Sequence, residues 1–212
     1  RDVVAARPSG ELAVVALAGD GTRREWTFGE LLAASASLAG VYLDRGARRG
    51  DTVLTLVGNR IEYVLTILAG LRLGVATLPC SEQLRPKDLA LRLASARPAL
   101  AVCDERNLPV LDAARPSCPV LTVPDDALLD TGTAPPFAEL ADTDPAFVLF
   151  TSGTSGPPKL VTHGQRYVRG QGLQAREWMA ARPGELVWST AAPGWSKSAR
   201  NSFIAPWLGG AA

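Results

Sequence analysis

Charge of one sign is what this sequence most plainly lacks: 22 lysines and arginines stand against 21 aspartates and glutamates in 212 residues. No net field exists to gather phosphate backbones or anionic lipid, so nucleic acid and membrane surfaces are not expected as partners. Histidine occurs once, at His163, and the three cysteines, Cys80, Cys103 and Cys118, show neither CxxC nor Cys/His ligand spacing. A protein-held metal is therefore not expected. An odd set of unspaced thiols reads as reduced cysteines packed like small apolar residues, which points to a cytoplasmic protein. A membrane-spanning helix needs about 20 unbroken apolar residues. The longest apolar stretch, Tyr63 to Cys80, is broken by Gly70, Arg72 and Gly74, and reads as a buried helix running into a strand. No signal peptide is visible after Arg1-Asp2. The chain also lacks an initiator methionine and stops on Gly-Gly-Ala-Ala after an apolar segment, the expected look of a fragment. Lysine is scarce as well: only Lys87, Lys159 and Lys197 occur, so the place of each matters.

What is present is a globular composition, 47% apolar and 20% charged, long enough to bury about 70% of its unfolded surface. Short apolar runs alternate with helical patterns. Leu12–Leu17 is followed by a Gly19-Asp20-Gly21 turn, and Thr27 with Glu30 forms a capping box for a helix that stops at Gly46. Thr52–Val57 reads as a strand, and Asn59 as the N-cap of a helix that ends near Gly74. A strand at Val75–Leu78 leads to a helix from Pro86 to Ala96, then to strands at Ala99–Cys103 and Val120–Val123. Such β-α alternation predicts an α/β fold with a mostly parallel sheet covered by helices. The expected organisation is a first α/β region over 1–123, a surface loop over 124–145 and a loop-bearing region over 146–212. Nothing in the sequence fixes an oligomeric state.

The informative segment follows the surface loop. Ala146–Phe150 has the character of a buried strand and opens into Thr151-Ser152-Gly153-Thr154-Ser155-Gly156-Pro157-Pro158-Lys159. Four hydroxyls fall within five positions, and two glycines let the backbone approach a ligand closely. Successive N–H groups in such a turn form an anion nest. Pro157 and Pro158 have no N–H, so donors must come from Ser152 to Gly156 and from Lys159, whose range the prolines restrict. This is the layout of a polyphosphate grip, although it is not a Walker A loop. The bland alternative is a polar surface loop with a solvated lysine.

The stretch Phe150–Lys159, FTSGTSGPPK, resembles the phosphate-binding signature of the adenylate-forming (AMP-binding) superfamily, which holds acyl-CoA synthetases, peptide-synthetase adenylation domains and luciferases. Leu68–Pro79 is similar to the helix–strand segment that precedes this loop in those enzymes. Thr190–Trp195 and Phe203–Gly210 resemble the medium-chain acyl-CoA synthetase branch. The resemblance implies the front part of a large N-terminal adenylation domain, with its C-terminal domain absent and no turnover by these residues alone. It implies an acid–thiol ligase of fatty acid metabolism: a carboxylate attacks Mg2+-bound ATP to give an acyl-adenylate, and CoA then displaces AMP. It assigns Thr151, Ser152, Gly153, Thr154, Ser155, Gly156 and Lys159 to the nucleotide, with Lys159 also catalytic. Trp195 is read as substrate-binding, with a core tryptophan as its other reading. His163 falls where relatives often have histidine, its plain alternative being a structural hydrogen bond at a helix start. Leu160 replaces a frequent glycine, and Ala192 an aspartate usual in the branch. Two other functions stay open, transfer of the acyl group to a carrier protein and a non-catalytic nucleotide-binding pseudoenzyme. Lys87, Lys197, Arg23, Arg24, Arg48 and Arg49 are read as solvated.

Overall fold

A computed structural model describes residues 3–125, 134–151 and 158–212. A hairpin comes first: β1 (Leu12–Leu17) pairs antiparallel with β2 (Arg23–Thr27). Helix α1 (Phe28–Asp44) starts where Thr27 accepts from the Glu30 amide while the Glu30 carboxylate accepts from the Thr27 amide, the reciprocal box expected from the sequence.

The main sheet follows. Its members are β3 (Thr52–Leu56), β4 (Ala76–Pro79), β5 (Leu100–Asp104), β6 (Val120–Val123), β7 (Pro145–Thr151) and β8 (Lys159–Gly164). The strand order is β6-β5-β3-β4-β7-β8, parallel throughout except for the antiparallel β7–β8 pair. The crossovers are α2 (Ile61–Leu73), α3 (Pro86–Ala96), and a 3-10 turn at Glu105–Asn107 running into α4 (Leu108–Ala113). The alternation expected from the sequence is therefore a mixed α/β fold with a mostly parallel six-stranded sheet. Strands β3 to β5 are buried along nearly their whole length, which is why their sequences are continuous apolar runs.

Local boundaries moved by one residue in places. Asn59 does not cap α2; Arg60 occupies that position with no side-chain cap bond, because a guanidinium has only donors and cannot accept from the first-turn amides. Gly74 ends α2 at φ 72°, and a Cβ there would lie 2.6 Å from the Leu140 side chain. The 124–145 segment is not wholly a solvated loop. Arg72 donates to the Pro135 carbonyl at 2.6 Å and stacks over Phe137, pinning that part of the loop to α2.

Beyond β8, α5 (Arg166–Gln174) passes into a π-helical turn, Ala175–Met179. A short α6 (Lys197–Ala199), a second π turn at Arg200–Ile204 and α7 (Ala205–Gly209) close the chain. Trp207 of α7 is buried, meets Phe28 edge-on at 5.6 Å, and donates its indole N–H to the Ala13 carbonyl at 2.8 Å. Such an aromatic pair contributes about 1 kcal/mol beyond its buried area. One apolar cluster contains residues of α1, α2, α5 and α7, and a second lies against α3 and α4. Cys80 and Cys103 are buried and unpaired, and Cys118 is half-buried and unpaired. Burial pushes the Cys80 and Cys103 thiols up to about 12, so both behave as the packed apolar residues expected.

Candidate functional site

In open parallel sheets, ligands gather outside the carboxyl ends of the strands. Here β4 ends at Pro79 and its neighbour β7 ends at Thr151, with Thr77 paired to Phe147 between them. Strand β8 returns antiparallel from Lys159, so Thr151 and Lys159 face each other across the hairpin. The Thr151 hydroxyl donates to the Lys159 carbonyl at 3.4 Å. Both residues are exposed. Two of the expected nucleotide-binding positions are thus held together at one mouth by β-pairing. Ser152, Gly153, Thr154, Ser155 and Gly156 lie outside the described residues.

The Trp195 segment reaches the same end of the sheet from another part of the chain. Trp195 closes a turn by donating its amide to the Ala192 carbonyl at 3.3 Å. Gly194 sits at φ 92°, and a Cβ there would overlap the backbone of Ser81, just past the end of β4. That close approach explains the glycine at this position. Trp195 is 65% exposed among these residues. Trp195, Tyr63, Phe147, Tyr167 and Arg200 wall a tight cavity of about 10 Å3 beside β7.

Three residues here had no sequence signal. Tyr63 is 3% exposed, and burial pushes its phenol up to about 12. The Ser198 hydroxyl and the Ala199 backbone lie close enough to act against that shift, although neither the Tyr63 nor the Ser198 hydroxyl makes a hydrogen bond of good geometry among the described residues. Tyr167 is also raised by burial, with the nearby Arg200 guanidinium acting against the shift. Only the apolar and aromatic rows of the sequence were visible beforehand, and they do not mark which rings share a cavity.

His163 is not a hydrogen-bonded helix starter. It stands on β8, with its ring 4.6 Å from that of Tyr167. Several arginines read as solvated hold structure instead. Arg24 lies over the Trp26 ring at 3.9 Å, Arg48 donates to the Leu43 and Ala47 carbonyls, and Arg49 pairs with Asp144 at 2.7 Å. Among the described residues no cluster of histidine, cysteine or carboxylate side chains could hold a metal. No described helix is long and apolar enough to cross a membrane.

The sequence matches the AMP-binding enzyme family over residues 1–212. The chain belongs to that family. Among curated proteins it is 34% identical to the mitochondrial acyl-coenzyme A synthetase ACSM5 of Rattus norvegicus, over 91% of this chain and 36% of that protein. It is 30% identical to mitochondrial ACSM3 of Mus musculus, with the same coverage. The chain therefore spans little more than a third of the curated relatives it matches. Among solved structures it superposes on an acyl-CoA synthetase of Brucella canis with a TM-score of 0.86 and 27% identity, covering 96% of this chain and 40% of that one. VinN shares the fold at a TM-score of 0.81 and 22% identity, with 99% and 53% coverage. The mitochondrial relatives overturn the cytoplasmic location expected from the thiols. Reduced cysteines separate oxidising from reducing compartments and do not choose among the reducing ones.

Proposed function

We propose that these 212 residues are the front part of the adenylation domain of an AMP-forming acyl-CoA synthetase. Within it, 1–123 would be the scaffold, 124–145 a connecting loop and 146–212 the nucleotide-handling region. The observation that carries the reading is the hydroxyl- and glycine-rich segment strung between Thr151 and Lys159 at the carboxyl end of a central parallel strand. The names of the relatives support the same chemistry.

In the proposed reaction a carboxylate attacks the α-phosphate of ATP, forming an acyl-adenylate and releasing pyrophosphate. The CoA thiol then attacks the acyl carbon and AMP leaves. Mg2+ arrives on ATP as part of that substrate. Both reactants of the first step are anions, so the protein must offset their repulsion and the charge building on the leaving pyrophosphate. Thr151 to Gly156 would bind the β- and γ-phosphates through hydroxyl and amide donors. Lys159, held to one position by β-pairing and preceded by two prolines, would place its ammonium on the same oxygens. Such a pre-aligned donor is worth about 3 kcal/mol in the transition state. Trp195 would form part of the wall against which the acyl group lies.

The test is the product set of the full-length enzyme supplied with ATP, CoA and a panel of carboxylates. AMP, pyrophosphate and a thioester are expected in equal amounts. Release of ADP and phosphate, or no acid-dependent turnover of ATP, would contradict the reading.

A further inference from the structure

Ring contacts among the described residues form two strings. Phe28, Trp207, Phe203 and Tyr63 meet in the core at centroid distances from 5.0 to 6.3 Å. The second string is Phe147, Tyr167 and His163, with Tyr167 lying 5.9 Å from Phe147 and 4.6 Å from His163. Phe147 stands on β7 and His163 is its partner on β8, so one ring packs on both strands of the hairpin that carries Thr151 and Lys159. Strand β8 lies at the edge of the sheet and pairs only with β7. Its residues from Lys159 to Thr162 are exposed, and its packing begins at His163.

The phenol end of Tyr167 faces the Trp195 turn. Its hydroxyl approaches the Ser196 carbonyl at 3.5 Å, too long a contact to hold the turn by itself. Packing joins them instead. Tyr167, Trp195 and Ser196 wall one gap with Phe147 and Leu149 of β7, and only about 10 Å3 of it is free. That is about the space a single water needs, so no substrate enters it. Packed side chains of this kind transmit displacement rather than absorb it. On its other side the turn is fixed by Gly194, which lies against the Ser81 backbone past the end of β4. The turn is therefore anchored at two points, the end of β4 and the Tyr167 ring.

We infer that Tyr167 is a positioning residue, whose ring carries the placement of the phosphate-gripping hairpin over to the Trp195 turn and so keeps acid and nucleotide in register. This rests on the adenylation reading above and says how two parts of that one site are aligned. Alignment of two bound reactants is where small displacements matter, since a shift of about 1 Å can lower a rate about 100-fold.

The experiment is a double-mutant cycle in ATP–pyrophosphate exchange by the full-length enzyme. Acetate, butanoate, octanoate and benzoate are supplied in turn, and the fastest is taken as the acid. Tyr167→Met fills the space without a ring. It should lower kcat/KM for the acid roughly tenfold, the equivalent of two ordinary aromatic contacts, while the KM for ATP holds. Tyr167→Phe, which keeps the ring, should match the unmodified enzyme. In a Trp195→Ala background Tyr167→Met should cost little more, because the indole it positions is gone. Additive losses, or an equal loss in Tyr167→Phe, overturn the inference and leave the adenylation reading intact. Should Tyr167→Met not fold, His163→Leu removes one of the two ring contacts and takes its place in the cycle, with the same non-additivity expected. Absence of exchange with every acid in the unmodified enzyme removes both.

Discussion

Two neighbouring stretches of the same sheet edge each bring an arginine to a partly buried place and surround it differently. At the carboxyl ends of β3 and β5, Asp104 is fully buried and takes Arg60 at 2.9 Å and Arg106 at 3.4 Å, while Glu82 takes Arg106 and the Asn107 amide. Gly58 completes that closure, because a Cβ there would overlap both Arg106 and Glu82. Every charge has an answer and the space is filled. At the carboxyl ends of β4 and β7, Arg200 has no counter-ion among the described residues, the Tyr63 hydroxyl has no partner there, and Trp195 is 65% exposed. Burial and charge are present at both ends. Satisfaction is what separates them: a closed network stabilises the fold, whereas the second place contributes little beyond its packing.

The largest expected effect breaks the closed end. Asp104→Ala leaves Arg60 without its buried partner and should cost about 3 kcal/mol in denaturant unfolding. Arg200→Met at the open end should cost less than about 1 kcal/mol in the same measurement, since no ion pair is lost. Equal losses would erase the distinction between the two ends. Gly194→Ala should come next. It forces a side chain at φ 92° into the Ser81 backbone and should displace Trp195, lowering kcat/KM for the acid about tenfold while the KM for ATP holds.

A pH series sharpens the same contrast through the buried groups. Cys80 and Cys103 are raised from 9.0 to about 12 by burial, and Tyr63 from 10.0 to about 12. The folded chain thus keeps protons that the unfolded chain releases, so stability is complete below about pH 9 and falls as pH rises toward 12. Thermal melting from pH 7 to 11 should show a plateau and then a decline, and Cys80→Ala should make the decline shallower. The smallest effect belongs to Arg23→Ala, whose pair with Glu25 is about half exposed on both sides. It should change stability by less than about 0.5 kcal/mol.

Much of the scaffold was legible because its signals are local. Thr27 and Glu30 lie one helical turn apart, where each side chain reaches the other's backbone amide, and Gly74 marks the left-handed residue that ends α2. The runs that became β3 to β5 are apolar because both sheet faces are covered. That Arg200 lines one cavity with Tyr63 and Tyr167 was not legible, since 137 and 33 positions separate Arg200 from the two tyrosines and no periodicity links them. Arg49 was equally opaque: its carboxylate partner, Asp144, lies 95 residues away. Charge pairing across a fold follows from topology, which composition does not carry. Trp195 was left between a substrate wall and a core position, because a Pro-Gly-Trp turn fixes the local bend and not what the ring meets.

The central claim is that the segment from Thr151 to Lys159 grips the phosphates of ATP, and one comparison tests it most directly. Acid-dependent ATP–pyrophosphate exchange is measured for the full-length enzyme and for Lys159→Ala, with folding checked by melting temperature. A loss of about 100-fold in exchange at unchanged stability is the expected result. Equal exchange by the two proteins would contradict the account.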